Sequence, residues 1–118
     1  MNLIAIRNKI EKAWEKETSY KPEEWTSENP AWGQCAVITR LMKELLGGYC
    51  MKGVFKIHNE FREHYWNRIN NMDIDFTWRQ MPIGTELLHV QEWIENEMVI
   101  NNWMEERYNI LKRNYHCN

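Results

Sequence analysis

The spacing of apolar positions changes along the chain, and each change marks an element. Over residues 3–16, Leu3, Ile6, Ile10, Ala13 and Trp14 recur at three- and four-residue intervals with Lys and Glu between them. That period places them on one face of a helix. From Thr18 to Gly33 the period is lost, and Ser19, Pro22, Ser27, Asn29 and Pro30 read as a loop, with Trp25 and Trp32 to anchor it. The helical period returns from Gln34 to Leu46. Ile38, Leu41, Met42 and Leu45 form its apolar stripe, and Arg40, Lys43 and Glu44 face away. Gly47-Gly48 ends this helix, because glycine adopts the left-handed backbone that a helix terminus uses.

After the glycines the pattern becomes that of strands, expected over Tyr49–Ile57, Phe61–Ile69 and Met72–Trp78. Asn70-Asn71 suits a two-residue hairpin, since asparagine tolerates positive φ. With that loop Ile69 pairs with Met72, Arg68 with Asp73, Trp66 with Asp75, and His64 with Thr77. Alternation then puts Tyr65, Asn67, Ile69, Met72, Ile74 and Phe76 on a mostly apolar face, and His64, Trp66, Arg68, Asp73, Asp75 and Thr77 on the other. Met81-Pro82-Ile83-Gly84 closes the sheet region. About Glu86 to Tyr115 reads as mainly helical, with Ile100, Met104, Tyr108, Leu111 and Tyr115 inward and an interruption at Asn101-Asn102. The order predicts one α+β domain over residues 1–118: N-terminal helices, a small antiparallel sheet and a C-terminal helix.

Composition narrows the chemistry. The chain has 118 residues, room for one core, and its seven Trp, five Tyr and three Phe supply ample apolar surface for it. A net charge of −2 carries no electrostatic footprint for nucleic acid, so no such partner is expected. Cys35, Cys50 and Cys117 are odd in number and irregularly spaced, without a CxxC pair or zinc-finger spacing. No metal or cofactor is expected. The stretch Met1–Arg7 is too short and too soon charged for a signal peptide, and no apolar run approaches the roughly 20 residues that span a bilayer. These features point to a reducing cytoplasm with free thiols and no membrane association. Seven Met residues are scattered gap-fillers.

Cys35 falls in the first turn of the second helix, where the positive end of the helix dipole favours a thiolate. A single cysteine in a helix is more often a small buried apolar residue. In the hairpin, Asp75 lies diagonally from His64, roughly 7–8 Å between backbones and within side-chain reach, while Asp73 stands opposite Arg68. A solvated polar face with an ordinary histidine is the plain alternative. Trp66, beside His64, reads as a core residue or as the wall of a pocket. His58 and His89 read as surface or helix-boundary residues, and His116 and Cys117 as part of a fraying terminus.

Three blocks carry a resemblance: Asn29-Pro30-Ala31-Trp32-Gly33-Gln34-Cys35-Ala36-Val37, His64-Tyr65-Trp66-Asn67-Arg68-Ile69, and Asp73-Ile74-Asp75-Phe76-Thr77. They resemble the YunG-like family of small bacterial proteins. More distantly they are similar to the transglutaminase-like and papain-like superfamily, in which Gly-x-Cys opens a helix and His-x-Trp and Asp-x-Thr strands follow. The resemblance covers about Trp25 to Trp78. It implies a papain-like or transglutaminase-like fold with Cys35 as nucleophile, His64 as general base and Asp75 orienting the imidazole. The Cys35 backbone N–H, with a side-chain amide from Asn29 or Gln34, is then the expected oxyanion donor set. Asn29 precedes Cys35 by six residues, similar to the papain-like spacing of a glutamine. The function so implied is thiol-dependent hydrolysis or acyl transfer at an amide, isopeptide or thioester bond of an acyl or peptide-like substrate. The alternatives are a non-catalytic binding protein that retains the fold and a dimerising adaptor that uses its surplus aromatics.

Overall fold

A computed structural model of the chain describes residues 2–94 and 102–117. Helix α1 spans Leu3–Ala13, capped by Asn2, whose Oδ1 accepts from the Ala5 N–H at 3.0 Å. It ends earlier than the apolar spacing predicts, because Trp14 turns to extended backbone. The following loop contains two single 3-10 turns, Lys16–Thr18 and Pro22–Glu24. Helix α2 spans Cys35–Leu46 and stops at Gly47, which has φ 75°. Strands β1 (Tyr49–Ile57), β2 (Glu60–Ile69), β3 (Met72–Ile74) and β4 (Leu88–Glu92) form one antiparallel sheet in the order β3-β2-β1-β4. Helix α3 spans Asn102–Cys117. The architecture is α+β.

Two tight turns set the register. His58-Asn59 and Asn70-Asn71 each have both residues at positive φ, between 50° and 64°, the backbone of a two-residue hairpin whose twist matches its strands. The second turn pairs Ile69 with Met72 and Arg68 with Asp73, as the sequence predicts. The ladder then ends one pair later, at Asn67 and Ile74, so the expected Trp66–Asp75 and His64–Thr77 pairs do not form. Asp75 instead accepts the backbone N–H of Thr77, which turns the chain off the sheet.

The expected long C-terminal helix is also corrected. Leu88–Glu92 is a strand on the free edge of β1, and the helix is confined to Asn102–Cys117. Unsatisfied edge N–H and C=O groups of β1 recruit this segment, a non-local gain that local periodicity does not register. The register of β4 shifts between Lys52 and Val54, and His89 there has φ 54°, a bulge opposite Gly53. His89 is thus exposed in an edge strand and not at a helix boundary. The Ile100 and Asn101 assignments lie outside the described residues.

The core joins the three described helices to the sheet. Ile10 and Ala13 of α1, Leu41 and Met42 of α2, and Leu111 and Tyr115 of α3 are buried together with Ile69 and Ile74. The carbonyl of Thr39 in α2 accepts from the Asn67 amide at 3.0 Å and lies 3.7 Å from the Cys50 sulfur, which ties the helix to β2 and β1. Through these contacts the N-terminal end of α2 is held against β2.

Candidate functional site

The approach to Cys35 is built by the loop that precedes it. Gly33 has φ 75°, and its carbonyl accepts from Tyr20 N–H at 2.8 Å. A Cβ there would sit 2.8 Å from that same nitrogen, so only glycine fits. Gln34 comes next and is fully buried. Its Nε2 donates to the Glu15 carbonyl at 2.9 Å and its Oε1 accepts from the Thr18 hydroxyl at 2.6 Å. The 3-10 turn after α1 therefore braces the residue that caps α2. Cys35, the first residue of the helix, is left 8% exposed.

His64 on β2 is wholly buried. Trp66 stacks on its ring, with centroids 5.9 Å apart and planes 19° from parallel, while Phe55 meets it edge-on at 6.3 Å. Its Nε2 lies 2.6 Å from Asp75 Oδ2. The Cys35 side chain acts on the same imidazole and favours its charged form. The second Asp75 oxygen, Oδ1, accepts from Thr77 N–H at 3.0 Å and from the Thr77 hydroxyl at 3.1 Å.

Burial by itself disfavours the imidazolium and lowers its pKa. The Asp75 hydrogen bond and the Cys35 sulfur more than offset that, and the His64 pKa is raised to about 9. The ring is consequently protonated at neutral pH. Nearby, Arg68 Nε lies 2.8 Å from Asp73 Oδ1. The Arg68 guanidinium holds the Asp73 carboxyl below its ordinary range, and a hydrogen bond from the Trp66 indole acts in the same direction. Asp73 thus pairs with Arg68, the structural role that its register implies.

Of Cys35, His64 and Asp75, expected from the sequence at one site, the last two are in direct contact, and the Cys35 side chain favours the charged form of the ring. Trp66 is buried against the ring of His64 rather than lining an open pocket. Gln34 directs its amide to Glu15 and Thr18, a bracing position instead of an oxyanion donor. Asn29 sits in a turn, its N–H donating to the Thr26 carbonyl at 3.2 Å, and no described hydrogen bond joins its side chain to the cluster. Phe55 and Thr77 belong to the cluster but carry no sequence signal of catalysis. For Thr77 the Asp-x-Thr spacing, an Asx-turn signature, is the trace that was available. Among the described residues no three or more His, Cys, Asp or Glu side chains are grouped to hold a metal ion. No helix of the described residues is long and apolar enough to cross a membrane.

A thiol at the tip of a helix, an imidazole on the adjoining strand and a carboxylate behind it define an α+β protein with a Cys-His-Asp constellation. The chain belongs to the YunG family, whose model, described as YunG protein, matches residues 2–118. It is similar to the uncharacterized protein YunG of Bacillus subtilis (strain 168), with 30% identity over 103 residues covering 87% of this chain and 82% of that protein. No solved structure matches the chain.

Proposed function

We propose that the protein performs thiol-dependent acyl chemistry, hydrolysis or transfer at an amide, isopeptide or thioester bond, on a papain-like or transglutaminase-like scaffold. The observation that supports this most is the position of the His64 ring, held at Nε2 by Asp75 at 2.6 Å and with its charged form favoured by the Cys35 side chain. Asp75 selects the tautomer that keeps a proton on Nε2. A neighbouring imidazolium is the charge that favours thiolate over thiol. The Cys35 thiolate attacks the substrate carbonyl carbon, and the resulting oxyanion is met by the Cys35 backbone N–H. His64 then gives its proton to the departing amine or thiol as the carbonyl re-forms, leaving an acyl thioester on Cys35. Water or an amine acceptor, deprotonated by the now neutral His64, attacks that thioester and releases the acyl group with the thiolate restored.

The burial of the same groups favours a second reading. His64 has no exposed surface and Cys35 little, which suits a binding or adaptor protein whose triad braces α2 on the sheet. Thiol reactivity separates the two. Iodoacetamide labelling at mildly acidic pH, resolved by peptide mass spectrometry, is expected to modify Cys35 ahead of the exposed Cys117 and the buried Cys50. His64→Ala is expected to slow Cys35 labelling roughly a hundredfold, because the neighbouring cation that favours the thiolate is lost. With para-nitrophenyl acetate, intact mass is expected to reveal an acetyl adduct that Cys35→Ala abolishes. Labelling of Cys35 no faster than Cys117 and indifferent to His64→Ala would favour the binding protein.

A further inference from the structure

We propose that Thr77 is a positioning residue for the carboxylate–imidazole pair: by donating twice to Asp75 Oδ1, it turns Oδ2 onto His64. Asp75 follows the last residue of β3 and has no ladder partner of its own. Its side chain retains 21% exposure, so water competes for its oxygens. A carboxylate at the end of a strand is free to rotate about its two side-chain torsions unless something fixes both oxygens. Thr77 supplies that restraint. Its N–H at 3.0 Å and its hydroxyl at 3.1 Å converge on one oxygen, while the other lies 2.6 Å from His64 Nε2. Thr77 is itself 1% exposed, so its hydroxyl is shielded from the solvent that would otherwise take the bond. Charge-assisted hydrogen bonds of this kind are stronger than neutral ones, and two on one oxygen also define its plane. The order of support runs Thr77, Asp75, His64, with each member holding the next.

A purely structural account would make these bonds a turn that carries the chain off the sheet. The two roles differ in what happens at the imidazole. Thr77→Val keeps the shape and the backbone N–H but removes the hydroxyl, and Thr77→Ser restores it. NMR of nitrogen-15-labelled protein reads the His64 tautomer, its Nε2–H resonance and its pKa. Thr77→Val is expected to lower the His64 pKa by roughly one unit, as the carboxylate drifts and burial is less opposed, and to broaden the Nε2–H signal through exchange. Thr77→Ser is expected to retain both wild-type values. In the wild type, the Thr77 amide is expected to shift with the same titration midpoint as His64, a measurement that stands even if the valine variant does not fold.

A valine variant with reduced thermal stability but an unchanged His64 pKa and Nε2–H signal would overturn the assignment, as would a Thr77 amide that ignores the His64 titration. Because it concerns the same site, any effect on Cys35 rests on the acyl-transfer reading, whereas the effect on His64 does not. An inert Cys35 with a responsive His64 would end the enzymatic reading and leave the role of Thr77 standing. A reactive Cys35 with a His64 insensitive to Thr77 would do the reverse.

Discussion

Burying an imidazole strips the cation of its hydration, so a buried histidine ordinarily prefers to be neutral. His64 is buried and still has its pKa raised to about 9, because Asp75 and Cys35 face the ring. The consequence for stability follows from proton linkage. The folded pKa lies above the ordinary value of 6.5, so the folded state binds the proton more tightly than the unfolded chain. The stabilisation is complete below about pH 6.5 and is lost as pH rises through about 9. Urea denaturation at a series of pH values is expected to show about 3 kcal/mol less unfolding free energy at the alkaline end. His64→Gln is expected to remove most of this slope. A variant with the slope of the wild type would mean that His64 does not carry the charge. At this scale the sequence offered the residue types, but Asp75 reaches His64 from beyond the end of the ladder and not through the expected register. The direction of Gln34 was not readable, since it depends on Thr18 and Glu15 folding back from the far side of the loop.

Elements hold the site through a few backbone requirements. Gly33 combines positive φ with a close approach to Tyr20, immediately before the residue that caps α2. Gly33→Ala adds left-handed strain of about 1–2 kcal/mol and a clash with backbone that cannot swing aside. Denaturant midpoints are expected to report a loss of at least about 2 kcal/mol, with slower Cys35 alkylation because the helix tip shifts. Unchanged alkylation would show that the loop does not set the position of the thiol. The strands β1 and β2 and the Asn70-Asn71 turn follow from alternation and from asparagine at positive φ, both short-range effects. The edge strand β4 does not. Leu88–Glu92 is exposed along its whole length, so no buried face imprints a period on it. Only hydrogen bonding to β1 makes it a strand.

Across the whole molecule, the site hangs between α2 and β2, and α1 and α3 keep α2 in place. Tyr108 and Lys112 of α3 both bond to Glu44, and Arg40 lies 3.0 Å from Glu105. These pins are partly exposed and contribute modestly, so the apolar seam supplies most of the packing energy. Leu111, fully buried in that seam, is expected to cost about 2–5 kcal/mol on replacement by alanine, read from urea unfolding. Cys35 labelling in the folded variant is expected to stay at the wild-type rate, because Leu111 lies outside the Cys35, His64 and Asp75 cluster. A large change in labelling would mean that the seam and the site are mechanically coupled.

Taken by itself, the sequence determined the helical stripes, the two long strands, the Asn-Asn hairpin and the residue types that a thiol site needs. All of these arise from interactions within a few positions along the chain, where spacing is conformation. Tertiary structure alone decided that β3 stops at Ile74, that residues 88–92 join the sheet, and that Gln34 braces the loop. It also decided that Thr77 grips the acid behind His64. Those outcomes turn on which buried or edge polar group finds its partner from a distant segment, and partner choice is set by the folded arrangement rather than by any local period.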